Sequence, residues 1–200
     1  HTSSDRDWSS DVCSSDLHYI TNQIKVSEDE LKTILSYFNP LKLKKNELLV
    51  THGQTSQRTF FVGKGCLRIF FINEDGQDAT RYFAFENQFA TALVSFITGE
   101  PSEEFIQAAE HSELLFITHR DFYHLLNIIP QWEKFYRHYL EKAYVNNTKR
   151  LMSFLTQDAT EKYRQLLDEN PIIVRRLPNK MVASYLNISQ ETLSRLKSKI

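Results

Sequence analysis

The residues best suited to chemistry lie near the end of the chain. Within Gln190-Glu191-Thr192-Leu193-Ser194-Arg195-Leu196-Lys197, helical spacing puts Gln190, Glu191, Ser194 and Arg195 on one side and Leu193 and Leu196 on the other. Gln can bond adenine bidentately, Arg can bond guanine and Glu can accept from cytosine, so this ridge has the groups needed to read base edges in a major groove. Ser189 and Thr192 join the set at the leading end of the segment, and Lys180, Lys197 and Lys199 supply cations for phosphates. Six of the 24 basic residues but one of the 25 acids fall between Arg175 and Ile200, so a segment of net +5 sits on a remainder of net −6. A chain with a formal charge of −1 thus conceals a basic module of the kind phosphate binding requires.

Other chemistries find little support. His18, His52, His111, His119, His124 and His138 are scattered, and His119 and His124 stand five apart, off a common helical face. No metal or other cofactor is therefore expected. The two cysteines, Cys13 and Cys66, are too few for a disulfide scaffold or the usual iron–sulfur ligand set. Cys66 lies in an apolar run, where an inert core thiol is the default. Neither a Gly-rich phosphate loop, a nucleophile elbow nor a carboxylate pair stands out, so no catalytic residues are assigned and the chain does not read as an enzyme. With 200 residues, 41% hydrophobic and 24% charged, it reads as a soluble protein of one or two domains. Apolar runs stay well short of a membrane span, and a cytoplasmic location is expected.

The elements around the ridge follow from local signals. Pro178 suits a helix start, Val182, Ala183 and Leu186 form an apolar face, and Asn187 can take the left-handed conformation that ends a helix. Ser189 then caps a second helix, giving the two short helices and tight turn of a helix-turn-helix. Upstream, Gln131 to about Leu155 is free of Gly and Pro. Leu140, Tyr144, Thr148, Leu151 and Leu155 form one stripe on it, and Trp132, Tyr136, Tyr139 and Ala143 a second. Two stripes suit a dimer helix, one for its own domain and one for a partner.

All five glycines lie between positions 50 and 100, marking a turn-rich region before the helical one. Strands are expected over 48–51, 59–62, 66–72, 80–85, 105–109 and 114–118, a spacing that suits a β sandwich or barrel. Ser27-Glu28-Asp29-Glu30 is a capping box opening a helix with Leu31, Ile34, Leu35 and Phe38 on one face, ending near Pro40. A short helix is expected over 119–129. Residues 1–17, Ser/Asp-rich with a repeated Ser-Ser-Asp, read as a non-native or disordered segment, and the fold is expected to begin near His18.

The β block, long helix and terminal Val182-Ala183-Ser184-Tyr185-Leu186-Asn187-Ile188-Ser189-Gln190-Glu191-Thr192-Leu193-Ser194-Arg195 resemble the Crp/Fnr family of bacterial transcription regulators. Phe60-Phe61-Val62-Gly63-Lys64-Gly65-Cys66-Leu67-Arg68 is similar to the early strands of that family's cyclic-nucleotide-binding β roll. The resemblance implies an α+β chain: a double-stranded β-helix (jelly-roll) sensor over 18–129, a dimerisation helix over 130–156, and a winged helix-turn-helix over 157–200. It implies a homodimer on a near-palindromic double-stranded DNA operator, with RNA polymerase as a further partner and an effector of unknown identity. In cyclic-nucleotide-binding relatives, a Gly-Glu pair and an Arg-Ser or Arg-Thr pair grip the ligand. Thr91-Ala92 and Ser102-Glu103 stand at those places here, and Asn147 and Thr148 fall where relatives touch the ligand from the long helix. No Arg lies between Arg81 and Arg120, and Glu100, Glu103 and Glu104 would repel a phosphate, so useful cAMP affinity is not expected. The alternative is a β-roll protein binding a small ligand or metal, with its C-terminus an interaction hairpin.

Overall fold

The computed structural model describes residues 25–199; residues 1–24, with Cys13, His18 and the Ser/Asp-rich stretch, and Ile200 lie outside the described residues. The first helix among the described residues, α1 (Glu28–Ser36), opens on a complete capping box between Ser27 and Glu30. Eight strands follow: β1 (Asn39–Leu43), β2 (Leu48–Val50), β3 (Arg58–Lys64), β4 (Leu67–Ile72), β5 (Asp78–Ala84), β6 (Phe89–Ala90), β7 (Phe105–Ala108) and β8 (Ser112–Thr118). They form two four-stranded antiparallel sheets, ordered β1-β8-β3-β6 and β2-β7-β4-β5. Each of the six expected strands has its counterpart.

Three elements in this region carry weaker local signals. Pro40 sits inside β1 rather than ending α1, tolerated because β1 is an outer strand with one edge free of ladder bonds. Strand β6 is two residues long, too short for any periodicity. A helix, α2 (Leu93–Thr98), interrupts the roll and ends on Gly99 in the left-handed region. Gly65 is required by close approach as well as conformation: at φ +99, a Cβ there would lie 2.4 Å from the Ser112 hydroxyl and 2.6 Å from the His111 carbonyl.

Between the sheets Phe60, Val62, Leu67, Ile69, Ile106 and Leu114 make a core. The β3 run Thr59-Phe60-Phe61-Val62 is buried throughout because its sheet is covered on both faces. Phe60 and Val62 point into the roll, while Phe61 joins Ile34, Phe122, Leu125, Trp132 and Phe135 beneath the helices. Those helices are α1, α3 (His119–Ile128) and the start of α4 (Pro130–Thr156). Thr118 caps α3 through the Asp121 N–H, and Pro130 occupies the first turn of α4.

The α4 helix runs 27 residues. Its Trp132 stripe is packed, whereas Tyr144, Leu151 and Leu155 are 74%, 58% and 75% exposed. Four further helices follow among the described residues: α5 (Ala159–Glu169), α6 (Pro171–Arg176), α7 (Asn179–Leu186) and α8 (Gln190–Lys199). Their core of Tyr163, Leu166, Ile173, Val182, Leu186, Leu193 and Leu196 is continuous with Cys66, Phe83, Phe85 and Ala109 of the roll. Among the described residues no strand follows β8, so the wing of the expected winged module is not among them.

Candidate nucleic-acid interface and effector cleft

Helices α7 and α8 meet across Asn187-Ile188-Ser189. Asn187 adopts φ 53, ψ 50, and the Ile188 N–H returns to the Ala183 carbonyl at 3.1 Å, so the turn closes on the helix it ends. Ser189 accepts the Thr192 N–H at 3.1 Å and its hydroxyl contacts the Thr192 hydroxyl, which engages both residues in capping α8. Val182, Ala183 and Leu186 pack with Leu193 and Leu196; Ala183 is small enough for the helices to approach.

Gln190, Glu191, Ser194, Arg195 and Lys199 are exposed on α8, and Lys180 is exposed on α7. Its own N–H and the Ser189 hydroxyl, aided by the Arg195 charge, hold the Glu191 carboxyl below the usual carboxylate range. Lys197 is drawn sideways, its Nζ donating to Asn179 Oδ1 at 2.6 Å across the helix pair.

The pair is docked on the roll through contacts that sequence spacing does not reveal. Strand β5 is the outer strand of its sheet, and its free edge is covered by α7. Ser184 Oγ accepts the Thr80 N–H at 2.9 Å and donates to the Asp78 carbonyl at 2.7 Å. Arg68, buried in β4, donates to Asp78 Oδ2 at 2.9 Å, to the Thr80 hydroxyl at 2.8 Å and to Ser184 Oγ at 3.1 Å. From α4, Arg150 Nη2 donates to the carbonyls of Thr80 (2.8 Å) and Tyr185 (2.6 Å), tying long helix, roll and α7 together. Arg176 of α6 forks onto Glu86 at 2.7 Å through both terminal nitrogens and also pairs with Glu110.

A cleft of about 440 Å³ opens beside this junction, between β5, α4 and the helices α5–α7. Of the expected effector residues, Thr91 and Asn147 line it, and Ala92, Ser102, Glu103 and Thr148 do not. The Thr91 hydroxyl already donates to the Arg58 carbonyl at 3.1 Å. Ala92 is buried before α2; Ser102 is buried, exchanging hydrogen bonds with the Glu104 backbone at 3.0 Å; Glu103 faces solvent.

No Arg lies between Arg81 and Arg120, but chain folding brings arginines to the cleft from outside that stretch. Arg81 reaches the cleft from β5, at a bulge where one extra residue lies between the partners of Ile69 and Phe70, and Arg150 reaches it from α4. Glu104 turns inward to pair with Arg81 instead of projecting as a repelling charge, with Nη2–Oε2 at 3.3 Å. Among the described residues, no group of three or more His, Cys, Asp or Glu is placed to hold a metal ion, and no helix is long and apolar enough to cross a membrane.

Residues 40–128 match the cyclic nucleotide-binding domain family. No curated protein sequence matches the chain. Among solved structures, it is similar to the c-di-GMP-responsive global regulator CLP of Xanthomonas campestris (TM-score 0.70, 15% identity, covering 86% of this chain and 91% of that one). It is also similar to FixK2 of Bradyrhizobium japonicum (TM-score 0.71, 14% identity, 81% and 83% covered). A third similar structure is a protein assigned to the Crp/Fnr family of transcriptional regulators from Eubacterium rectale (TM-score 0.67, 15% identity, 86% and 82% covered). Residues 40–128 therefore form a domain of the cyclic nucleotide-binding family, within a chain that carries the fold of the Crp/Fnr regulators.

Proposed function

We propose that this protein is a DNA-binding transcriptional regulator of the Crp/Fnr type, and not an enzyme. One observation carries the reading. Gln190, Glu191, Ser194 and Arg195 stand exposed along α8 while Leu193 and Leu196 hold that helix down, which leaves a polar ridge free to enter a major groove. Residues 157–200 serve as the helix-turn-helix module, with Gln190, Glu191 and Arg195 reading bases and Lys180, Lys197 and Lys199 meeting phosphates. Residues 130–156 join two copies through the exposed Tyr144, Leu151 and Leu155 stripe, so the operator is a near-palindrome. The protein acts in the cytoplasm on transcription by RNA polymerase, and residues 18–129 sense the effector.

That effector is not cAMP. Arg81, which reaches the cleft from the roll, is spent on Glu104, and the hydroxyls of Thr91 and Ser102 are bonded internally. Calorimetric cAMP binding at micromolar or tighter affinity would overturn this.

Selection of bound sites from a random duplex pool tests the function. A recovered near-palindrome is expected, and Arg195→Ala should relax preference at one base pair per half-site, worth about 1–3 kcal/mol. Failure to retain any duplex at low salt would leave α7–α8 as an interaction hairpin.

A further inference from the structure

We propose that Thr192, with Ser189, is a positioning residue for base reading: the two hydroxyls keep Glu191 and Arg195 from pairing with each other and steady the Arg195 guanidinium before it meets a base. The inference rests on the regulator reading and adds to it a residue that acts through another.

Spacing sets the problem. Glu191 and Arg195 lie four apart on α8 with the acid first, the order and interval at which a helix favours an ion pair. Such a pair would tie up two of the groups that α8 offers to base edges, and it would have to open before either could bond a base. It does not form: the Arg195 charge is near enough to help lower the Glu191 carboxyl, yet no salt bridge joins the two among the described residues.

The capping residues supply each charge with another partner. The Glu191 carboxylate is held by its own N–H and by the Ser189 hydroxyl, at the start of the helix. Arg195 donates from Nη2 to Thr192 Oγ1 at 3.3 Å, three residues back on the same face. Thr192 is half-buried; its N–H donates to Ser189 Oγ at 3.1 Å, and its Oγ1 accepts from Ser189 Oγ at 3.1 Å. Ser189 has a single hydroxyl proton for Thr192 and Glu191, and either choice leaves Glu191 and Arg195 on separate partners. One Nη2 proton of Arg195 is committed to Thr192. The remaining N–H groups of the fork outnumber the two acceptors, O6 and N7, that a guanine presents in the major groove. A side chain already steadied loses less freedom on binding, so more of its bonding energy goes into discrimination.

Two substitutions on the full chain test the role. Thr192→Val keeps the β-branched shape and removes the hydroxyl, and Thr192→Ser keeps the hydroxyl. Bound-site selection first identifies the base pair whose preference relaxes in Arg195→Ala. At that pair Thr192→Val should lose about threefold or more of the discrimination, with other positions and the salt slope unchanged, and Thr192→Ser should retain it. In the DNA-free protein, nitrogen-15 relaxation at Arg195 Nε should show greater nanosecond mobility in Thr192→Val and not in Thr192→Ser. Equal loss on every duplex with a shallower salt slope would make Thr192 a phosphate contact instead. That result, unchanged discrimination at the Arg195 base pair, or unchanged Arg195 mobility would each overturn the proposal and leave the regulator reading standing. Failure of the unchanged protein to select any duplex would remove that reading, and the role of Thr192 with it.

Discussion

Ser184 of α7 stands against Thr80 of β5 as a missing strand would, accepting the Thr80 N–H at 2.9 Å while donating to the Asp78 carbonyl at 2.7 Å. Residues two apart on an outer strand present backbone groups to the same side, so one hydroxyl satisfies a donor and an acceptor of the exposed edge. Arg150 takes the Thr80 carbonyl on that edge. The C-terminal helices thus hold the roll in part by covering the edge of its sheet, where side chains of α7 and α4 bond to the backbone of β5.

Ser184→Ala removes that link while keeping the helix. The Thr80 N–H loses its partner in a partly buried place, which costs roughly 1–3 kcal/mol of docking. Amide exchange should accelerate selectively at Thr80, with the inner strands β4 and β7 unaffected. Unchanged protection at Thr80 would refute a docking role for Ser184.

Acid should loosen the same interface through Glu86. Burial raises its pKa, but hydrogen bonds from Arg176 and from the Gly65 N–H outweigh that, and the net shift is downward. A lowered carboxyl stabilises the docked form fully above its unfolded value near 4.5 and loses that contribution as pH falls through the folded value. Arg176 is shifted upward by Glu86 foremost and stays charged throughout. Proteolysis in the 156–159 connection should therefore rise below about pH 4.5. Glu86→Gln should show elevated cleavage at neutral pH and a flatter acid limb; a limb as steep as that of the unchanged protein would remove Glu86 from the explanation.

Much of this architecture is visible in residue patterns, because it depends on near neighbours. Glycines with alternating aromatic and branched residues mark the strands, and Asn187 with Ser189 marks the α7–α8 turn, since those signals act within four residues. The junction is hidden for the opposite reason. Ser184 works on partners 104 and 106 residues away, and Arg150 on one 70 away, so neither has a local signature. A search for cations within the 81–120 stretch likewise overlooks one delivered by a helix packed across it. Pro40 misleads because the same residue that stops a helix is tolerated on an outer strand.

The left-handed turn gives a stability prediction. Asn187→Ala keeps a β-carbon at φ 53 but removes the short polar side chain that lets Asn tolerate the left-handed region, at a cost of about 1–2 kcal/mol. Asn187→Gly should stay within about 0.5 kcal/mol of the original. Urea midpoints separate the two; equal midpoints would mean that the turn relaxes away from this geometry.

The exposed stripe of α4 should govern assembly. Replacing Leu151 and Leu155 with Glu would put four like charges across the proposed two-fold helix pair. Sedimentation at micromolar concentration should then report a monomer with its roll transition retained. A persistent dimer would move the interface elsewhere.

The basic residues of α8 divide by how they are held, and salt dependence separates their roles. Lys199 is exposed and forms no ion pair among the described residues, and Lys197 shares a 2.6 Å hydrogen bond with Asn179 on an exposed surface. An exposed bond of this kind is worth little, so the Lys197 ammonium remains free to swing onto a phosphate. Lys197→Ala should weaken binding to every duplex alike and reduce the log–log salt slope by about 0.9, the loss of one released counterion. Asn179→Ala, which frees the ammonium without removing it, should leave the slope unchanged. Should Lys197→Ala leave the slope untouched while Asn179→Ala destabilises the helix pair, Lys197 is a brace between α7 and α8 and the phosphate contacts fall to Lys180 and Lys199.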